Sequence, residues 1–375
     1  MNSETPAAQT AEPAIAEPGR IIGYDVARSV AMLGMIVVHF SLVAASERTG
    51  PEWMSFILSL LDGRASATFV ILAGIGLTLL SRKAVDSGDP QAVIKVQNIF
   101  VRRGIFLLIV GFINLTIWPG DILRIYGVSL LIASRLLRAP NRVLLAVAIG
   151  FALTFALLLM VCDFEKNWEW QTMTYRNLWT PTGIVRNLFF DGFRSVFPWT
   201  GFLLFGMWLG RFDLTDRDLN SRLLIASGLT AIGAELTSRL LLWFLRTRPQ
   251  EGLDTATVQA LFGTESMPAL PLFLMAAGGT GTAVIALSVR LTSALPSRIW
   301  TPLVATGQMA LTWYFAHIVV GLGSLVLFNL AGTQSLPAAA SYGLLFFATA
   351  VLISCAWKSS ARYGPLEWVM RQTAG

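Results

Sequence analysis

Long apolar segments, separated by short charged stretches or by proline and glycine, are the feature that most limits how this chain can fold. The segments Ile21–Ala45 and Thr301–Leu330 each supply the roughly 20 residues that a helix needs to cross about 30 Å of hydrocarbon. Only 13% of the residues are charged, against roughly 25% in a soluble domain. Long segments with the alternating pattern of membrane β-strands are absent. The sequence therefore predicts an all-α, polytopic membrane protein that lies in a lipid bilayer.

About ten transmembrane helices are predicted from the positions of these segments. They cover roughly residues 22–44, 65–81, 101–118, 120–137, 142–162, 195–210, 222–245, 268–290, 303–330 and 340–357. The third and fourth segments are separated only by the tight turn at 118–121. The sixth is short and contains Pro198, which is compatible with a re-entrant or broken helix.

The distribution of Lys and Arg predicts which side of the membrane each loop faces. If the N-terminus is cytoplasmic, the inner loops hold roughly twice as many basic residues as the outer loops. We therefore expect both ends to face the cytoplasm and the protein to be a multi-pass protein of the inner (plasma) membrane. This topology also accounts for the net charge of +6, so nucleic acid is not an expected partner. Residues 1–19 are predicted to form a disordered cytoplasmic tail. Residues 20–375 are predicted to form a single transmembrane helical domain.

Ionisable residues inside apolar spans are costly, and they usually face the interior of a helix bundle. Three pairs of opposite charge occur at helical spacing: Asp25 with Arg28, Asp121 with Arg124, and Glu235 with Arg239. The last pair is expected to neutralise itself and to have a structural role. For the first two pairs, a structural role and a functional role remain open.

Both histidines of the chain, His39 and His317, fall inside apolar spans. Imidazole transfers protons near neutral pH, and it can also carry an acyl group. The alternative is a histidine that only forms a hydrogen bond between helices. No metal site is predicted, because two histidines without a neighbouring carboxylate are a poor zinc-binding set. The two cysteines, Cys162 and Cys355, are predicted near opposite faces, too far apart for a disulfide.

Six short motifs occur in the order found in a known family. They are Asp25–Gly34 (DVARSVAMLG), Phe69–Gly76 (FVILAGIG), Arg102–Gly104 (RRG), Gly120–Tyr126 (GDILRIY), Gly307–His317 (GQMALTWYFAH) and Tyr363–Arg371 (YGPLEWVMR). Together they resemble the YeiB-like family (domain of unknown function 418). That family is similar to the heparan-α-glucosaminide N-acetyltransferase group and, more loosely, to other transmembrane acyltransferases.

This resemblance implies transfer of an acyl group, such as acetyl, from cytoplasmic acyl-CoA to an acceptor at the outer side of the membrane. The acceptor would be a carbohydrate or another small molecule, and acyl-CoA would be a co-substrate rather than a tightly bound cofactor. His39 is the positional candidate for the catalytic histidine, and His317 is the second candidate. Asp25, Arg28, Asp121 and Arg124 would shape the cavity. The basic residues Arg82, Lys83, Arg102 and Arg103 would attract the CoA phosphates.

The sequence departs from the family pattern at two motif positions. Ser29 replaces a usual glycine, and Gln308 replaces a usual arginine. The loop Ser46–Phe56 also has no histidine, so the motif of the lysosomal enzyme in that loop is missing. Two other functions remain open: a transporter or permease for a small solute, and a non-catalytic membrane protein of envelope assembly. The tryptophans of the outer loop 163–193 are expected either in an interfacial belt or in a cap over an outward-facing site.

Overall fold

The computed structural model describes residues 20–46, 50–248 and 254–375, so the predicted tail 1–19 lies outside the described residues. The helices are α1 (Ile22–Ala44), α2 (Glu52–Leu61), α3 (Arg64–Asp86), α4 (Pro90–Leu115), α5 (Leu123–Arg135), α6 (Asn141–Val161), α7 (Pro181–Arg186), α8 (Val196–Leu209), α9 (Arg217–Thr247), α10 (Thr255–Phe262), α11 (Pro271–Ala294), α12 (Ser297–Gly307), α13 (Ala310–Ala316), α14 (Gly323–Leu327), α15 (Leu336–Lys358) and α16 (Pro365–Ala374). The π-helical turns are Asn187–Asp191 and His317–Leu322. A small antiparallel hairpin pairs β1 (Trp168–Glu169) with β2 (Thr174–Tyr175), with Trp168 opposite Tyr175.

Each of the ten predicted segments coincides with helix in the structure, which confirms the all-α membrane fold. Within the described residues, eight helical segments are long and apolar enough to cross a bilayer. The other two predicted segments are α5 and α8, with 13 and 14 residues. At about 1.5 Å per residue they are roughly 20 Å long, so they pack within the bundle without spanning the hydrocarbon alone. α5 packs on α4, and α8 packs between α3 and α6.

Helix α1 lies at the centre of the bundle, in contact with α3, α11, α12 and α15. In its most apolar window 67% of the residues are buried, against 17% in α6 and 11% in α9, which face lipid. The close contact between α8 and α3 depends on Gly206. A Cβ on Gly206 would lie 2.2 Å from the Ile71 carbonyl oxygen, so a larger residue would push α8 away from α3.

The start of α1 and the end of the chain lie at the same end of the bundle. Asp25 accepts a hydrogen bond from the Gln308 side chain at 3.4 Å, and Thr312, four residues after Gln308, donates to Glu367 on the last helix. This end, which the charge distribution assigns to the cytoplasm, is called the inner face below, and the opposite end is the outer face. An even number of crossings follows from this arrangement. The assignment of the inner face to the cytoplasm stays a prediction.

The predicted pair of Glu235 with Arg239 is wrong. Glu235 instead forms an ion pair with Arg64, whose side chain is only 4% exposed at the start of α3. Arg239 is exposed, and its guanidinium lies 4.9 Å from the centre of the Phe56 ring. Helical spacing places the two α9 side chains on one face. The carboxylate pairs with Arg64 of another helix instead, because an unpaired buried charge costs more free energy than an unpaired exposed one. The ion pair ties the peripheral helix α9 to the core.

We predict that Glu235→Gln lowers the free energy of unfolding by about 3 kcal/mol, because it removes the carboxylate that pairs directly with the buried Arg64. Removing the aromatic contact with Arg239→Ala should cost less than about 1 kcal/mol. Thermal or denaturant unfolding of the purified variants in detergent measures both effects. Equal losses in the two variants would contradict the assignment of the ion pair.

Candidate functional site

The structure brings the two histidines into direct contact. His39 comes from α1, and His317 comes from the start of the π-helical turn that follows α13. The Nδ1 atom of His39 lies 2.9 Å from the Nε2 atom of His317, and the two rings stack with centroids 5.2 Å apart. His39 is 8% exposed and His317 is fully buried. Residues 278 positions apart in the chain therefore form one histidine pair inside the bundle.

The second ring nitrogen of His317 fixes the direction of this hydrogen bond. Its Nδ1 atom lies 3.2 Å from the Trp313 carbonyl oxygen, and a carbonyl can only accept a hydrogen bond. His317 must therefore carry its proton on Nδ1. With both rings uncharged, His317 Nε2 is the acceptor and His39 Nδ1 is the donor. His39 Nε2 then keeps a free lone pair, which makes it the basic and nucleophilic atom of the pair.

Aromatic side chains surround the histidine pair. The Trp118 ring lies 4.9 Å from the His39 ring, and the Tyr314 ring lies 5.5 Å from the His317 ring. The Tyr314 hydroxyl donates to Asp121 Oδ1 at 3.3 Å. Tyr314 therefore connects the histidine pair to the second group of predicted site residues.

Asp121 and Arg124 are both buried, and Tyr314 links Asp121 to the histidine pair. Neither residue lines one of the two cavities described below, so their predicted role in shaping a cavity stays a prediction. Asp121 accepts hydrogen bonds from the Asn114 amide at 2.8 Å and from the backbone N–H of Arg124 at 3.1 Å. The Arg124 guanidinium lies 3.8 Å from Asp121 and donates to Asn187. Its Nε and Nη2 atoms have no hydrogen-bond partner within residues 20–46, 50–248 and 254–375. This guanidinium can therefore bind a further oxygen atom.

The other predicted charge pair does not join this site. Asp25 accepts hydrogen bonds from Arg28 at 2.6 Å and from Arg20 at 2.8 and 3.0 Å, at the inner face. His39 follows Asp25 by 14 residues of the same helix, or about 21 Å. Asp25 and Arg28 therefore lie far from the histidine pair, although the same helix carries both.

The four basic residues predicted to attract CoA phosphates also lie at the inner side of the bundle. Arg82 donates to the Arg211 carbonyl oxygen at 3.4 Å, and Arg103 donates to Gly375. Lys83 lies in the last turn of α3, and Arg102 is exposed on α4. Neither of the two cavities described below includes any of the four. Their role in CoA binding stays a prediction.

A cleft of about 620 Å³ lies between the end of α4 and the outer loop, and neither histidine is among its lining residues. Its lining combines aromatic, amide and hydroxyl side chains: Thr116, Trp168, Thr174, Tyr175, Asn177, Trp179, Thr180 and Asn187, with Leu115, Ile117, Pro119, Met173 and Leu178 between them. Asn187 connects the cleft to Arg124 by its hydrogen bond. Trp118 lies between two lining residues and places its ring against His39.

The hairpin that covers this cleft is anchored on Asp191. The Tyr175 hydroxyl donates to the Asp191 carboxylate at 2.7 Å, Trp168 donates to the Asp191 carbonyl oxygen at 2.6 Å, and Arg186 pairs with the same carboxylate. Burial raises the pKa of the Asp191 carboxyl. Burial is also the largest cause that raises the pKa of the Tyr175 hydroxyl. Trp168 is buried in this arrangement, whereas Trp170 and Trp179 are exposed, and the interfacial belt and the cap both stay predictions.

A second cavity, of about 470 Å³, is apolar and lies between α6, α8, α9 and α11. Its lining includes Ala148, Gly201, Gly278 and Thr282, and neither histidine belongs to it. The neighbouring residues Ile149 and Met275 are exposed on the lipid-facing surface. We assign it to the boundary with the bilayer and not to the functional site.

Sequence reasoning missed Asn114, Trp118 and Asn187. Asn114 is the one of the three with a visible signal, because it is an amide within a predicted apolar span. Trp118 lies in the tight turn at 118–121, and its distance from His39 along the sequence gives no sign that the two rings are in contact. Asn187 lies in the outer loop, and only the tertiary structure brings it to Arg124.

We predict that Asp121→Asn destabilises the protein by about 3–5 kcal/mol, because Arg124 is then buried without its counter-charge. Replacing both residues, with Asn at 121 and Met at 124, should restore part of this loss, since no unpaired charge remains. Unfolding of the single and double variants in detergent gives the coupling energy. Purely additive effects would mean that the two side chains are not a pair.

Two family models match the chain, and together they cover it from residue 20 to its end. The model for the catalytic region of heparan-alpha-glucosaminide N-acetyltransferase matches residues 20–249. The model DUF418, described as a protein of unknown function, matches residues 210–375. His39, Asp121 and Arg124 lie in the first match, and His317 lies in the second. The histidine pair thus joins the two matched parts of the chain.

One similar protein is described as an uncharacterized 39.9 kDa protein in the amylase 3' region of Bacillus acidopullulyticus. It is 23% identical over 368 residues, which cover 95% of this chain and 94% of the relative. The likeness therefore extends over the whole bundle and is not confined to one motif. With the first family model matching more than half of the residues, the chain belongs to the heparan-alpha-glucosaminide N-acetyltransferase-like family of membrane proteins, with a DUF418 C-terminal part.

Proposed function

We propose that this protein is a transmembrane acyltransferase that moves an acyl group from acyl-CoA at the inner face to an acceptor in the outer cleft. The family supports acetyl transfer as the reaction class. The observation that carries the proposal is the histidine pair, whose hydrogen bonds leave His39 Nε2 unprotonated inside the membrane. An imidazole with a free lone pair serves both chemical routes of acyl transfer.

On the first route, His39 Nε2 attacks the thioester carbonyl carbon. The new N–C bond forms, the C–S bond breaks, and CoA leaves as a thiolate beside a positively charged acyl-imidazolium. An acceptor hydroxyl or amine then attacks the acyl carbon, the N–C bond to His39 breaks, and the proton that the acceptor gives up converts the thiolate into the CoA thiol. On the second route, His39 Nε2 removes the proton from the acceptor, the acceptor attacks the thioester directly, and the imidazolium returns the proton to the departing CoA sulfur. Both routes need the same atom, so both depend on the hydrogen bond with His317.

Arg124 supplies the second requirement of the chemistry. The carbonyl oxygen of the acyl group becomes negative as the nucleophile attacks, and donors already in place stabilise that charge. Arg124 has two N–H donors without partners among the described residues, and Tyr314 links its partner Asp121 to the histidine pair. We propose that Arg124 holds the acyl oxygen, while Asp121 and Asn114 keep the guanidinium in position.

The outer cleft supports a carbohydrate as the acceptor. Sugars bind through stacking of their apolar faces on aromatic rings and through hydrogen bonds to amides and hydroxyls. Trp179 is 57% exposed at the cleft, while Asn187 and several threonines supply polar groups. At the inner face, the basic residues Arg82, Lys83, Arg102 and Arg103 would hold the CoA phosphates. The thioester would then extend into the bundle along α1.

We expect His39→Gln and His317→Gln to lower the turnover number by roughly 100- to 10,000-fold, because each change removes the base or its orienting partner. Radiolabelled acetyl-CoA, supplied to purified protein with and without glucosamine, measures both acetylated product and release of CoA. Arg239→Ala, remote from the site, serves as a control and should keep wild-type turnover. Wild-type turnover in both histidine variants would rule out this mechanism.

Trp179→Ala should raise the KM for the sugar acceptor about fivefold, because the loss of one stacking surface is worth roughly 1 kcal/mol. Trp243→Ala is the matched control, since Trp243 is similarly exposed but lies on the lipid-facing helix α9. Steady-state kinetics with varied glucosamine at saturating acetyl-CoA separates the two. An unchanged KM in Trp179→Ala would place the acceptor elsewhere.

The transporter alternative predicts solute flux without acyl-CoA. Its main support was a path of charged residues through the bundle. Asp25 and Arg28 lie at the inner face, whereas Asp121 and Arg124 lie beside the histidine pair, about a 20 Å helix length away. Uptake into proteoliposomes that lack acyl-CoA distinguishes transport from transfer.

A further inference from the structure

We infer that Glu367, on α16 at the inner face, is a positioning residue for the histidine pair. This inference rests on the proposed function only in that His39 is the reactive group. Glu367 belongs to the motif Tyr363–Arg371, which has no role in the chemistry described above. It lies in the DUF418 part of the chain, together with His317.

The helix that carries His317 begins at a break inside the bundle. α12 ends at Gly307, the backbone at Met309 is not helical, and α13 begins at Ala310. The first N–H groups of a helix have no partner within that helix. They therefore need an acceptor from outside the helix, such as a side chain of a neighbouring helix.

Glu367 is that acceptor. Its Oε1 atom accepts hydrogen bonds from the backbone N–H groups of Leu311 at 2.7 Å and Thr312 at 3.1 Å. Its Oε2 atom accepts a hydrogen bond from the Thr312 hydroxyl at 2.5 Å. The backbone N–H of Leu366 donates in turn to the Thr312 hydroxyl at 3.1 Å. Four hydrogen bonds therefore join the start of α13 to one turn of α16.

Contacts elsewhere hold α16 independently of α13. Trp357 on α15 donates to the Tyr363 carbonyl oxygen at 2.9 Å, and the Arg371 guanidinium lies 4.2 Å from the centre of the Tyr363 ring. Arg103 on α4 donates to Gly375. α16 is thus anchored on two long helices, and it offers the Glu367 carboxylate from a fixed position.

A short series of hydrogen bonds connects this anchor to His39. Glu367 holds Leu311 and Thr312, and the next residue, Trp313, accepts from His317 Nδ1. His317 Nε2 then accepts from His39 Nδ1. α13 has seven residues, and a π-helical turn follows at His317. Because so few residues separate the start of α13 from His317, a displacement of that start also displaces the His317 ring.

The test compares Glu367→Gln and Glu367→Asp with Asp216→Asn. Asp216 is the matched control because its carboxylate also caps a helix, accepting from the Leu219 N–H at 2.8 Å, while that helix, α9, carries no member of the site. Thr312→Val is a milder variant, since it removes the two hydrogen bonds of the hydroxyl, to Glu367 and from Leu366, and leaves both backbone bonds to Glu367. Each protein is purified in detergent, and gel filtration checks that it is folded.

The first measurement does not depend on activity. Nitrogen NMR of histidine-labelled protein reports which ring nitrogen carries the proton in each residue. We expect wild type and Asp216→Asn to show protonated Nδ1 on both histidines. Glu367→Gln should lose this pattern, Thr312→Val should weaken it, and Glu367→Asp should recover it in part. A wild-type pattern in folded Glu367→Gln and Thr312→Val would overturn the inference.

The second measurement is turnover of acetyl-CoA. A displacement of about 1 Å at a reactive group can cost 100-fold in rate, so Glu367→Gln should lower kcat by about that factor. The KM for acetyl-CoA should remain within about twofold, because a residue that acts through α13 does not contact the donor. If the NMR pattern changes but wild type itself transfers no acyl group, the positioning role stands and the proposed function fails. Equal kcat losses in Glu367→Gln and Asp216→Asn would contradict a specific role.

Discussion

The hydrogen bond between His39 and His317 is the interaction on which the arrangement of this site depends. It joins the central helix of the bundle to a short helix that begins within the membrane-embedded part of the protein. Because the Trp313 carbonyl can only accept, the proton positions of both rings are determined once this contact forms. The reactive lone pair is then on Nε2 of His39, whose ring lies against Trp118.

The bilayer explains why so much of the structure serves this one contact. Without water, each buried polar group must be satisfied by another residue, and unpaired charges are costly. Asp121 receives hydrogen bonds from Asn114, the Arg124 backbone and Tyr314 for this reason. Arg124 departs from this rule, because its Nε and Nη2 atoms have no hydrogen-bond partner among the described residues, although Nε lies 3.8 Å from the Asp121 carboxylate. In the proposed function, these N–H groups bind the acyl oxygen.

Sequence patterns predicted the helical membrane fold and selected the histidines and the Asp121–Arg124 pair, because each is a local signal in an apolar background. They failed where a partner comes from a distant part of the chain. Arg64, not the nearby Arg239, neutralises Glu235. The sequence marked Glu367 only as part of a family motif. Its contact with α13 could not be predicted, because it depends on the start of α13 lying beside α16. Spacing reports which residues share a helix face, whereas tertiary packing decides which charges meet.

The central claim is that His39 Nε2 is the atom that meets the acyl group. Bromoacetyl-CoA carries an alkylating carbon close to the position of the acyl carbon, so it should modify the nucleophile nearest to that position. After incubation of a variant with both cysteines replaced by serine, peptide mass spectrometry locates the modified residue. The account predicts alkylation of His39, suppressed by excess acetyl-CoA and lost in His317→Gln. Modification of His317 in place of His39, or labelling that acetyl-CoA does not suppress, would contradict it.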